Sequence, residues 1–222
     1  MDLRSLVAIE TPVVLGPFGG MSSVALTAAV SEAGGLGSFG LYGLSGERIS
    51  AVASEVRALT SRPFALNLWL PFQAPEEHAP ADRFDRAEFD RAIAGLAGLF
   101  AEAGVEPPEW PVAPLPDFGE QLEAALAAEP AVLSFIFGVP PAEVVEDAHS
   151  RGIRVIGTAT TVPEARALEV GGVDAIVASG MEAAGHRPSF LSTPEASLVG
   201  GLSLIPQVVD AVDVPVIAAG GI

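Results

Sequence analysis

Short apolar runs that end in glycine or a small polar residue recur along this chain, separated by stretches of helical character. The runs are Pro12–Leu15, Leu36–Phe39, Phe64–Leu70, Ala131–Phe137, Arg154–Gly157, Val173–Ala178 and Val214–Ala219. Most are continuously apolar rather than alternating, so each strand is expected to be buried on both faces. A parallel sheet covered by helices meets that requirement. Helical spacing is clearest over Gly46–Leu59, where Ile49, Val52, Val56 and Leu59 recur every three or four residues. Further helices are expected over Ser23–Ala33, stopped by Gly34 and Gly35, and over Asp85–Ala103, Phe118–Ala128, Pro140–Ser150, Thr161–Val170 and Leu204–Val212.

Two α/β architectures compete for this pattern: the eight-stranded barrel and the open doubly wound sheet. The G-x-G-x-x-G turn of dinucleotide-binding sheets is absent after the first run, which favours the barrel. The chain ends just past the seventh run, at Ile222. A full barrel needs one more strand and two more helices. The expected fold is therefore a TIM (β/α)8-type barrel, incomplete at the C-terminus, with about seven strands. Residues 1–222 are read as a single barrel domain. Its rhythm is broken at about 71–116, where eight prolines and many acids form an insertion too long for a simple βα connection. That segment could form a lid or an oligomer contact. An unpaired edge on the last strand would likewise invite association into a homo-oligomer.

Composition removes several classes of function. The formal net charge is −17, and all eleven basic residues are arginine. No basic stripe exists to meet a nucleic-acid backbone or an anionic membrane. Without lysine, neither a Schiff base nor a lysine general base can operate. Without cysteine, disulfides, thiolate nucleophiles and Cys-based metal or iron–sulfur sites are excluded, and no metal site is expected. The first residues show no signal-peptide pattern and no run is long enough for a membrane span, so a cytoplasmic protein is expected.

In a parallel barrel the chemistry gathers where strands end. The residues just past each run are Gly16–Gly20, Gly37–Gly40, Asn67, Phe137-Gly138, Thr158–Thr161, Ser179–His186 and Gly220-Gly221. Such a rim lets backbone approach a flat, polar-edged ligand that carries a phosphate. Glycine at strand ends also serves turn geometry alone, and the residues leave both readings open. His186 is the one histidine of three at a strand's C-terminal end; His78 lies in the insertion and His149 near a helix end beside Arg151. A histidine there can move a proton at a substrate carbon, or can cap the loop by bonding to backbone.

Several segments, in order from about residue 9 to the end, resemble the nitronate monooxygenase family. Glu182-Ala183-Ala184-Gly185-His186-Arg187 is similar to the family's E-A-G-G-H motif. Pro12–Gly20 resembles its A-P-M-x-G opening, Ala29–Gly37 its A-V-S-x-A-G-G-L-G, and Phe64–Leu68 its F-x-V-N-L strand. Ser134–Gly138 and Pro215–Ile222 complete the set. The resemblance implies FMN at the barrel mouth, with Phe18 in the opening turn and Asn67 on the flavin's polar edge. Ser179, Ala184 and Gly185 would line the ring or ribityl chain, and Gly220 and Gly221 would meet the phosphate. His186 would be the base that removes a proton beside a nitro group, with a nitroalkane or nitronate as substrate and O2 as oxidant. The chain departs from the family at Ser179, where glutamine is common, at Ala184 and Pro188, where glycine is, and at Phe18, where methionine is. The family's further phosphate-binding turn and helices lie beyond Ile222. Alternatives are an FMN-dependent enoyl-thioester reductase using NAD(P)H, or a truncated non-catalytic paralogue.

Overall fold

The computed structural model describes residues 2–18, 20–71, 86–110 and 116–221. His78 and most of the proline-rich segment expected at 71–116 lie outside them. Two compact units emerge: residues 1–72 with 116–222, and residues 73–115.

The larger unit is built on six parallel strands in sequence order: β1 Gly37–Gly40, β2 Phe64–Trp69, β3 Val132–Ile136, β4 Arg154–Ala159, β5 Ala175–Ser179 and β6 Val216–Ala219. Strictly sequential parallel order is the barrel arrangement, and β1 and β6 are the two edges of this sheet. Seven strands were expected, and the run at Pro12–Leu15 is the one that falls short. It makes a single parallel bridge, Val14 to Leu36. Pro12 has no N–H to give, and Gly16-Pro17 follows at once, so only three residues can pair.

Helices α1 Leu3–Val7, α2 Val24–Glu32, α3 Gly46–Leu59, α5 Phe118–Ala127, α6 Ala142–Ser150, α7 Val162–Val170 and α8 Gly201–Val209 belong to the same unit. Ser23, Ser45, Asp117 and Thr161 cap α2, α3, α5 and α7 by accepting a backbone N–H near the third helical residue. Alternate residues of each strand go to different layers. Leu66, Leu68, Leu133, Phe135, Val155 and Ile176 face the helices and join one continuous core with Ile49, Val52 and Val56 of α3. The other set faces inward. Near the N-terminal ends of the strands, Ala65, Val132, Ile156 and Ala175 pack with Leu3, Val7 and Ile9, so α1 plugs the floor. The floor is also tied by charge: Asp174 accepts from the Val155 amide at 2.8 Å, sits 2.8 Å from His149 Nε2, and pairs with Arg154 at 3.1 Å. His149 is thus a surface histidine bound to a carboxylate.

In the smaller unit, α4 Arg86–Ala103 is an amphipathic helix whose buried residue is Phe89. The Phe89 and Trp110 rings lie 5.4 Å apart, and Arg86 pairs with Asp90 one turn on.

Candidate active site

Above the apolar floor, the inward residues of the larger unit change character. Ser38, Asn67, Ser134, Thr158 and Ser179 place one small polar side chain on each of β1 to β5, and all line one cavity of about 1070 Å³. The positions singled out in the sequence converge on it. Phe18, Asn67, Ser179, Ala184, Gly185, His186, Gly220 and Gly221 all contribute to its wall.

Each is held by local structure. Phe18 lies in a turn fixed to the end of β1, because Ser22 Oγ donates to the Phe18 carbonyl at 2.7 Å and accepts from the Gly40 amide at 3.2 Å. Asn67 is buried, and its Nδ2 donates to Ser134 Oγ at 2.9 Å and to the Ser134 carbonyl at 3.2 Å. Its carboxamide oxygen has no partner among the described residues and is the group it can offer to a ligand. Ser179 closes β5, buried against Ala219 of β6. Gly220 has φ +101°, and a Cβ there would stand 2.7 Å from the Ala183 amide nitrogen. Only glycine lets the end of β6 approach the loop that carries His186 this closely.

That loop is clamped on both sides of the histidine. On one side, Glu182 accepts from the Gly201 amide at 2.9 Å. Gly200, the N-cap of α8, has no side chain to do this, so a residue nineteen positions upstream caps the helix. The Gly201 amide, then Glu182's own backbone amide and the nearby Arg187 charge, hold the Glu182 carboxyl below its ordinary value. Gly180 makes room, since a Cβ there would meet Glu182 Oε2 at 2.6 Å. On the other side, Arg187 donates to the carbonyls of Ser179 at 2.9 Å, Gly180 at 2.8 Å and Thr160 at 3.4 Å, and also to the Ser197 carbonyl. Burial pushes this guanidinium down from its usual value, against the pull of Glu164 and Glu182. Fully buried Glu164 completes the clamp. Its carboxylate accepts from the Thr160 amide and hydroxyl at 2.7 and 2.6 Å, and from the Phe190 and Leu191 amides at 2.7 and 3.1 Å. Between the clamps, His186 stands exposed at the cavity wall, its ring 4.9 Å from that of Trp69.

Sequence reasoning did not single out Glu164, Trp69 or the capping work of Glu182. Glu164 has one local signal, the T-x-x-E spacing from Thr161 that resembles a capping box, but it reaches other amides instead. Among the described residues, no cluster of His, Asp and Glu could hold a metal, and no helix is long and apolar enough to cross a membrane.

Known proteins share this architecture. A curated nitronate monooxygenase of Pseudomonas aeruginosa is 41% identical over 220 residues, covering 98% of this chain and 60% of the relative. One from Paraburkholderia phytofirmans is 37% identical over 227 residues, covering 99% and 59%. The solved structure of nitroalkane oxidase from Streptomyces ansochromogenes superposes with a TM-score of 0.82 at 36% identity, covering 99% of this chain and 60% of that one. FabK from Thermotoga maritima superposes at 0.70 with 26% identity, covering 99% and 54%. The chain thus spans about 60% of the length of these curated relatives. The family model for nitronate monooxygenase matches residues 2–222, and on that match the chain belongs to the nitronate monooxygenase family.

Proposed function

We propose that residues 1–222 form one FMN-binding barrel domain, with an insertion at about 71–116, of an oxidoreductase that oxidises nitroalkanes or their nitronates with O2. The observation that carries this reading is convergence. All eight positions that the family pattern points to open on a single cavity, with His186 on its wall. The cavity also fits a flavin chemically. It joins an apolar floor to a small-polar belt, and a glycine turn at Gly220-Gly221 leaves backbone rather than side chain facing the space. The Asn67 carboxamide oxygen and Ser179 would hold the polar edge of the ring, Phe18, Ala184 and Gly185 its faces and chain, and Gly220 and Gly221 the phosphate. When bound, the flavin supplies the electron acceptor that reacts with oxygen.

The chain's own part is positioning and proton transfer. The Glu182 and Arg187 clamps fix the backbone on either side of His186. Its imidazole then takes the proton from the carbon beside the nitro group. The absence of cysteine fits a cytoplasmic setting.

The test is reconstitution of the purified chain with FMN, followed by its visible spectrum and by nitroalkane-dependent oxygen uptake. The rival reading is tested in parallel by enoyl-thioester-dependent oxidation of NAD(P)H. His186→Ala should retain flavin and lower kcat/KM on neutral nitroalkanes by about 10²- to 10⁴-fold, the usual contribution of a general base. Unchanged turnover in that variant would remove His186 from the role. A colourless chain that cannot be reconstituted would favour the non-catalytic paralogue.

A further inference from the structure

The inner column of β2 runs Ala65, Asn67, Trp69 from floor to mouth, and all three line the cavity. Trp69 is the large side chain among them, and it is held from behind. Tyr42 stacks on it at 4.0 Å between ring centroids and 28° between planes, and Phe137 meets it at 5.1 Å and 66°. Neither Tyr42 nor Phe137 belongs to the cavity wall itself. Phe137 reaches its place from a left-handed backbone, φ +70°. That is a costly conformation for a bulky residue, and such outliers gather at sites that bind or react. The third ring neighbour of the indole is His186, at 4.9 Å and 66°. A molecule that fills the cavity beside both rings can therefore touch the imidazole and the indole at once.

Charge narrows what that molecule can be. The carboxylates on the cavity wall are Asp2, which pairs with Arg4 at 2.7 Å, and Glu182, which stands beside His186 in the same loop; among the described residues no arginine lines the cavity. The Glu182 carboxylate near the imidazole disfavours a like charge beside it, whereas a neutral substrate meets no such repulsion. We propose that Trp69 is the specificity-determining residue of the site: it is the apolar wall against which the aromatic or flat carbon skeleton of an uncharged substrate lies while His186 takes the proton. This rests on the proton-abstracting reading of His186 given above.

The test compares nitroethane with the nitroalkane (2-nitroethyl)benzene on the FMN-reconstituted chain, and in parallel the equilibrium binding of unreactive 2-phenylethanol with that of 1-propanol by calorimetry. The native chain should prefer the phenyl member of each pair by about tenfold, the size expected of one aromatic contact. Trp69→Ala should bring both ratios close to one, and Trp69→Phe should restore most of the preference. Because each result is a ratio, any general loosening of His186 acts on both members and cancels. Tyr42→Ala, a milder change at a half-exposed support, should lower both ratios part of the way. A native chain with no phenyl preference, or a Trp69→Ala protein that keeps it, overturns the proposal. If neither nitro compound turns over yet phenylethanol binding still depends on Trp69, the wall stands and the assigned reaction falls. If turnover occurs with a flat ratio, the reaction stands and the wall falls.

Discussion

The two faces of the sheet use the same strands for opposite purposes. On the outer face, Leu133 and Phe135 of β3 are fully buried against helices, and Leu66 and Ile176 flank them in one core. On the inner face of the same strands, Ser134, Asn67 and Thr158 line open space. Neighbours in sequence thus differ completely in what holds them. The outer residues are fixed by packing, whereas above the floor Asn67 and Ser134 are joined by directed hydrogen bonds. Stability is concentrated on one side and left sparse on the other, where a ligand needs polar groups and room.

That contrast can be broken most directly at Phe135. Phe135→Ala should lower unfolding free energy by about 3–5 kcal/mol, as expected for a large core aromatic, read by denaturant titration. A loss under 1 kcal/mol would mean that the outer face is not the main store of stability. Gly220→Ala tests the rim between the faces. The added methyl group meets the Ala183 backbone at a left-handed φ, and about 1–3 kcal/mol should be lost, with weaker FMN retention in the same protein. Ser134→Ala, one residue from Phe135, should cost only about 1 kcal/mol, since it removes one acceptor of the Asn67 amide while the Ser134 carbonyl remains. The smallest effect sharpens the account of the loop. Glu182 has a folded-state pKa below its unfolded value, so its contribution is complete above the ordinary carboxylate range. It is lost as pH falls through the depressed folded value. Hydrogen exchange at the Gly201 amide should accelerate across that acid window, and Glu182→Gln should flatten the dependence.

Much of this fold can be read in the sequence because its determinants are local. Helix α3 spans Gly46–Leu59 as expected, since Ser45 caps it and Ile49, Val52 and Val56 keep one face buried. The rim positions were legible for a similar reason: parallel strands end in glycine or small polar residues, and His186 follows β5 directly. What escaped depends on distant partners. Helix α1 has only five residues and is stable because Leu3 and Val7 fill the barrel floor, which no local pattern announces. Helix α8 was expected to start at Leu204, which would set Pro206 in its first turn. It starts at Gly201 instead, with Pro206 in its interior, because the cap arrives from Glu182. Trp69 read simply as strand, since its role at the mouth comes from Tyr42, Phe137 and His186, which lie on three other segments.

The grip of Arg187 has a consequence for variation. Four of its contacts end on main-chain oxygens, which every residue type supplies. The stretch Leu191–Ala196 beyond it is exposed throughout. Evolution or a designer could therefore rewrite that outer bend while the imidazole keeps its address.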